Sequence, residues 1–285
     1  EEARREEEAR REEEARREEE ARREEEARRE AQQQQAIFER NPMNTTSADQ
    51  WGVCGRQLNA LSKDVKEEIR AERTGPNPNV ITVVKEYIIP KCTADSVSYS
   101  ILINPNGLKC DTFVSHAWLG PFFALIDELR GYYEDFETRV FWIDFLAAPQ
   151  TWPSQEADRL MFTGAVVHSR FATALLQCDH VVVVRNTNCN LYTRLWCVAE
   201  LALAREFKKS VKVIGIGPPM HESGIGTRAQ CSVPADEPGL QAAISKVTSD
   251  AHIDELVEKA VKAPAGSVLA VGATDFEDPN SCCVQ

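Results

Sequence analysis

From residue 110 onward, short continuous apolar runs alternate with longer stretches of helical periodicity. "DTFVSHAW" (111–118), "RVFWIDF" (139–145), "DHVVVVRN" (179–186) and "SVKVIGIG" (210–217) read as strands. Between them, "PFFALIDELRGYYEDF" (121–136), "SQEADRLMFTGAVVHSRFATALLQC" (154–178) and "TRLWCVAELALAREF" (193–207) read as helices. The order is β-α-β-α-β-α-β. The strand runs are continuously apolar instead of alternating, which marks a parallel sheet covered by helices on both faces. "LQAAISKVTSDAHIDELVEKAVKA" (240–263) adds one or two closing helices, so the predicted α/β domain spans 110–262, and residues 263–285 read as a flexible tail.

Upstream the pattern is weaker. Residues 37–109 read as a partly helical extension. "LNALSKDVKEEIRAE" (58–72) is amphipathic, and "TGPNPN" and "INPNG" are turns by their Pro, Gly and Asn. "VITVVKEYII" (80–89) fits a strand or a helix, and Pro90 is expected to end it. Residues 3–30 repeat ARREEE with a period of six. On a helix this sets Glu and Arg four residues apart, as in Glu7 and Arg11, each pair contributing roughly 0.2–0.5 kcal/mol. Alanine every six residues makes no heptad stripe. The expectation is a charge-laced single α-helix over 1–36, roughly 45 Å long at about 1.5 Å per residue. A partly disordered polyampholyte is the alternative.

Composition narrows the function classes. Net charge is −12, partly from 15 Glu against 10 Arg in residues 1–31, and this argues against nonspecific nucleic-acid binding. The nine cysteines form no CxxC and no Cys/His set with zinc spacing. That usage fits a reducing, cytoplasmic setting. No apolar run reaches the roughly 18 residues of a membrane span. GxGxxG after the first strand, GxxxxGK[ST], HExxH and GxSxG are all missing from the sequence, which removes support from the nucleotide, zinc-protease and hydrolase readings they would mark.

The candidate chemistry lies at the carboxyl ends of the strands, where open parallel sheets hold ligands. These ends carry Ser115, His116 and Trp118, then Asp144, then Arg185 and Asn186. Glu200 interrupts an otherwise apolar run from Leu195 to Ala204. A lone charge there is expensive. It is explained by a salt bridge to Arg170 or Arg194, by a place near the helix start, or by a ligand cleft beside the strand ends. Trp196 and Glu200 are i and i+4 and share a helix face.

Asp111, Phe113 and Ser115 reproduce the Asp-x-Phe-x-Ser strand of TIR domains, and Arg194, Trp196, Cys197, Glu200 and Leu201 reproduce most of their Arg-x-x-Trp-Cys-x-x-Glu-Leu-like helix. The chain over about 80–262 resembles that family, in particular a divergent "SHAW" group of protists and algae. The resemblance implies a flavodoxin-like three-layer α/β fold and self-association. For many members it implies NAD+ cleavage at the nicotinamide–ribose bond. It makes Glu200 the catalytic carboxylate, with Trp196, Ser115, His116, Trp118 and Asp144 bordering the substrate. NAD+ is then a substrate, with no cofactor. The alternative is a non-catalytic interaction module assembling through TIR–TIR contacts. His116, Ala117 and Trp118 stand where such enzymes often carry Arg or another polar residue. Finally, Cys282, Cys283, Val284 and Gln285 match a CaaX box, with Cys282 the prenylated residue and a weak membrane contact as the consequence.

Overall fold

The computed structural model describes residues 41–69, 75–151, 169–218, 226–231 and 237–270, together with Glu7, Glu13, 16–26, Arg28 and Arg29 of the N-terminal repeat. The chain divides into two compact units, Glu1–Thr45 and Thr46–Gln285. In the first, the described residues of the repeat are helical. Glu13 pairs with Arg17 at 2.7 Å, Glu19 with Arg23 at 2.6 Å and Glu25 with Arg29 at 2.7 Å. Each is an exposed i,i+4 pair with the acid on the N-terminal side, the favourable orientation. The rest of the segment expected to form one helix lies outside the described residues.

The second unit is an α/β structure built on a six-stranded mixed sheet. The strands are β1 (Val53–Cys54), β2 (Thr112–Ser115), β3 (Val140–Ile143), β4 (His180–Val184), β5 (Ser210–Ile214) and β6 (Ser267–Ala270), in the spatial order β1-β3-β2-β4-β5-β6. The four strands legible as apolar runs are mutually parallel, with Phe113 opposite Trp142 on one side and Val181 on the other. β1 and β6 add antiparallel edges. The tail expected from residue 263 therefore begins with a strand. Residues beyond 270, Cys282 among them, lie outside the described residues.

Helices cover both faces, in keeping with a three-layer arrangement. Strand alternation sends Val114, Ile143, Val182 and Val184 to one face. There they pack with α1 (Gly55–Glu68), the helical stretch from Val80 to Cys92, and α5 (Phe122–Tyr132). That stretch comprises α2 (Val80–Val83), a π-turn (Val84–Ile88) and α3 (Ile89–Cys92), followed by α4 (Tyr99–Ile103). Pro90 does not end it. Ile89 N bonds Val84 O across the wide turn, and this wider spacing just upstream accommodates the ring that an α-turn would crowd. Phe113 and Ser115 face the other way. Phe113 stacks on Trp142 at 4.8 Å and meets Phe171 of α7 (Arg170–Gln177) edge-on at 5.2 Å. A short helix, α6 (Asp144–Ala147), leaves β3 directly. On the α7 side lie α8 (Leu195–Glu206), α9 (Glu237–Val247) and α10 (Asp250–Lys262), both of the latter packing on α8.

From Thr46 onward the extension upstream of residue 110 belongs to this unit. Gln57 Oε1 accepts from Cys54 N at 2.9 Å, starting α1 straight out of β1. Asn104 donates to the Gly52 carbonyl at 3.0 Å and accepts from Gln57 Nε2 at 2.7 Å. At Gly55 the chain passes so close to the Phe136 carbonyl that a Cβ would lie 1.9 Å from its oxygen, so only glycine fits.

Candidate functional site

Helix α8 is buried almost all round, with nine of its twelve residues inside, Glu200 among them. Glu200 is 5% exposed, and its Oε2 has no hydrogen-bond partner. The carboxyl lies on the face that carries Ser115. The Ser115 hydroxyl faces it without a hydrogen bond of acceptable geometry and is itself unpartnered. Burial lifts the Glu200 pKa to about 8. The Ser115 hydroxyl and the Arg194 guanidinium pull it down, and Asp144 pushes it up. At neutral pH in the free protein this is mainly a neutral carboxylic acid.

Three further groups lie around the same strand end. Tyr192, in the turn that precedes α8, is 1% exposed with an unpartnered Oη. Its burial raises the phenol's pKa, and the neighbouring Cys197 and Glu200 raise it further. The Cys197 thiol, pushed up by burial and then by Glu200, donates to the His116 carbonyl at 3.4 Å. The His116 ring is 6% exposed and meets Phe145 edge-on at 5.4 Å; its Nε2 lies 3.6 Å from Asp144 Oδ1 and makes no hydrogen bond. Burial lowers the His116 pKa, with Arg194 adding to the effect while Asp144 and the Val114 backbone oppose it. Four buried polar atoms, Ser115 Oγ, His116 Nε2, Tyr192 Oη and Glu200 Oε2, thus end unpaired around the carboxyl end of β2. Buried polar groups are normally satisfied, and unsatisfied ones cluster where a ligand or a reaction uses them.

The remaining residues singled out in the sequence are placed differently. Asp144 opens α6; one of its oxygens accepts from Phe145 N at 2.7 Å and the other from Trp118 Nε1 at 2.6 Å. Both residues therefore support the strand end. Trp196 is half-buried, and its ring packs on Phe171 at 5.5 Å. No arginine forms an ion pair with Glu200 among the described residues, and Arg170 lies over the Trp51 ring at 5.4 Å. Tyr192 was not singled out from the sequence; its only signal is the Asn190 cap of the turn before α8, where Oδ1 accepts from Tyr192 N at 3.0 Å.

A cleft of about 190 Å³ opens at the sheet rim, and of the residues above it is lined by His116, Arg185 and Asn186 and not by Glu200, Ser115 or Trp196. Residues 152–168, which include the first part of the helix expected over 154–178, lie outside the described residues. Among the described residues no group of acidic, histidine or cysteine side chains could hold a metal ion, and no helix is long and apolar enough to cross a membrane. Comparison of the chain with protein-family models, curated proteins and solved structures found no match.

Proposed function

We propose that residues 110–262 form a TIR-like domain with a flavodoxin-like sheet, carried on the charged single helix of 1–36, and that it cleaves NAD+ at the nicotinamide–ribose bond. The supporting topology is the order of the parallel strands, β3-β2-β4-β5. It follows the 2-1-3-4 pattern of doubly wound sheets, with the switch point between β2 and β4. The observation that carries the reading is the set of unpaired buried polar atoms at the end of β2 around Glu200: its own Oε2, Ser115 Oγ and Tyr192 Oη. In the reaction the C1′–N bond breaks and its electron pair goes to the nicotinamide ring, which leaves neutral. Positive charge develops on the ribosyl group, as in glycoside cleavage. Glu200, ionised, stabilises that charge and holds the ribose hydroxyls, with Ser115 and Tyr192 fixing the carboxylate. Water then adds to C1′ and releases a proton. The cationic substrate ring lowers the Glu200 pKa in the complex, and in the free protein ionisation grows towards pH 8. kcat/KM therefore rises with pH to about 8 and levels.

The test is release of free nicotinamide from NAD+ by purified protein at concentrations that permit self-association. Turnover is expected to fall by about 10²-fold or more in Glu200→Gln, with the thermal melt retained. The second reading is a non-catalytic module that assembles through copies of itself. It is favoured by the 5% exposure of Glu200 and by its absence from the lining of the rim cleft. Absence of nicotinamide release from clustered wild-type protein would decide for it.

A further inference from the structure

The rim cleft lies on the opposite face of the sheet from Glu200. Val80, Leu125 and Val184 line it, and these belong to the core under α1 and α5. It sits at the carboxyl ends of β2 and β4, the two strands from which the following connections diverge to opposite sides. Such a crevice is where doubly wound sheets receive ligands. Its volume of about 190 Å³ is below the roughly 300 Å³ of sites for drug-sized molecules, so its occupant is small. The walls are mainly apolar, and Ile216 at the rim is 69% exposed, a large apolar side chain left in water.

Besides His116, whose Nε2 is unpaired, two polar groups on the cleft are unused. Asn186 Oδ1 accepts from Asn188 N at 3.0 Å and from Cys189 N at 3.1 Å. This fixes the amide and leaves Nδ2 as the free donor. Gly120 lies against it, and a Cβ there would be 2.6 Å from Nδ2, so the amide also has its place by close packing. Glu128, half-buried, lines the cleft with no hydrogen-bond or ion-pair partner among the described residues. Arg185 makes no ion pair with it. Its guanidinium is committed to the Gly215 carbonyl at 3.0 and 3.3 Å and to the Val261 carbonyl at 2.9 Å. The cleft therefore offers one fixed donor, one free carboxylate and the unpaired His116 Nε2 between apolar walls.

We propose that this cleft binds a small heteroaromatic molecule with an amide-like edge, an N–H donor beside an acceptor, as in nicotinamide or adenine. The donor goes to Glu128, the acceptor takes Asn186 Nδ2, and the ring lies against Leu125, Val184 and Ile216. The site is independent of the reading of Glu200.

Nicotinamide and nicotinate have nearly the same shape and differ at this edge, so titration of the full chain with each, followed by NMR or calorimetry, is the test. Nicotinamide is expected to bind saturably and nicotinate at least tenfold more weakly, because its carboxylate lacks the donor and meets Glu128. Adenine is likewise expected to bind more tightly than purine, which lacks the amino group. Ala124→Phe, which fills the cleft from α5, is expected to weaken nicotinamide binding at least tenfold. Glu128→Gln, a partly exposed change that keeps the shape, is expected to narrow the difference between nicotinamide and nicotinate even should the Phe variant fail to fold. Glu200→Gln is expected to retain binding. No saturable binding of nicotinamide, equal binding of the two ligands, or loss of binding in Glu200→Gln would overturn the assignment, as would full binding in a folded Ala124→Phe.

Discussion

The two ends of strand β2 carry similar numbers of polar side chains and treat them in opposite ways. At the amino end, Arg139 donates to Asp135 at 2.9 and 2.7 Å, to Asp111 at 3.2 Å and to Thr112 at 3.1 Å, and lies over the Tyr133 ring at 4.4 Å. Thr112 donates to Asp111 at 2.6 Å, and the second Asp111 oxygen accepts from Val140 N at 2.9 Å. Among the described residues, only Tyr133 Oη and His180 Nδ1 are left over there. At the carboxyl end, four residues, Ser115, His116, Tyr192 and Glu200, each keep an unpaired buried atom. One end is a closed network that fixes where the strands start. The other retains unsatisfied groups at a cost in stability, the arrangement expected where residues are held for chemistry instead of for the fold.

The sharpest way to break this comparison is pH. The folded pKa of Glu200 is about 8, above the ordinary 4.5 of a glutamate in the unfolded chain. The folded state then holds the proton more tightly, so stability is full below pH 4.5, falls as pH rises towards 8, and levels above it. Glutamine has no proton to lose. The stability of Glu200→Gln relative to wild type is expected to improve across that window by on the order of 4 kcal/mol. Denaturant unfolding of both proteins at pH 5 and pH 8.5 checks this, and a gap that does not change with pH would mean that the carboxyl reaches water or a partner. The next effect concerns the other end. Arg139→Met is expected to destabilise by about 2 kcal/mol, because Asp111, Asp135 and Thr112 lose a shared donor. A denaturant midpoint within error of wild type would show that network to be ornamental.

The sequence exposes this contrast only in part. Strands β2 to β5 are readable because a strand buried on both faces must be continuously apolar, as in "HVVVV" and "VFWI". β1 has two residues, too short for any period, and both β1 and β6 are edges whose pairing depends on partners remote in the chain. Pro90 within a helical stretch was unreadable because its tolerance comes from a π-turn, which depends on packing and not on local propensity. Glu200 was legible as a buried charge. Its direction was not, because a helix buried on nearly all sides has no single inner face. Trp196 therefore packs on Phe171 while Glu200 is set towards Ser115. Asp144 and Trp118 were legible as strand-end residues, but their mutual hydrogen bond joins positions 26 residues apart and leaves no local trace.

The smallest effect compares two hydroxyls on one strand. Thr112 Oγ1 both donates to Asp111 and accepts from Arg139, so Thr112→Val removes two interactions and strands their partners. It is expected to cost about 1–2 kcal/mol. Ser115 Oγ is equally buried and bonds nothing. Ser115→Ala removes a desolvated polar atom without stranding another, so at pH 5, where Glu200 is protonated, it is expected to be neutral or to stabilise by up to about 1 kcal/mol. The sign should turn with pH. The hydroxyl lowers the Glu200 pKa, and without it the carboxyl becomes harder to ionise, so the benefit shrinks or reverses above pH 8. Unfolding of both variants at the two pH values separates the cases. Equal losses from Ser115→Ala and Thr112→Val at pH 5 would mean that the carboxyl end of β2 is as fully bonded as the amino end, and the case for a functional centre there would lose its footing.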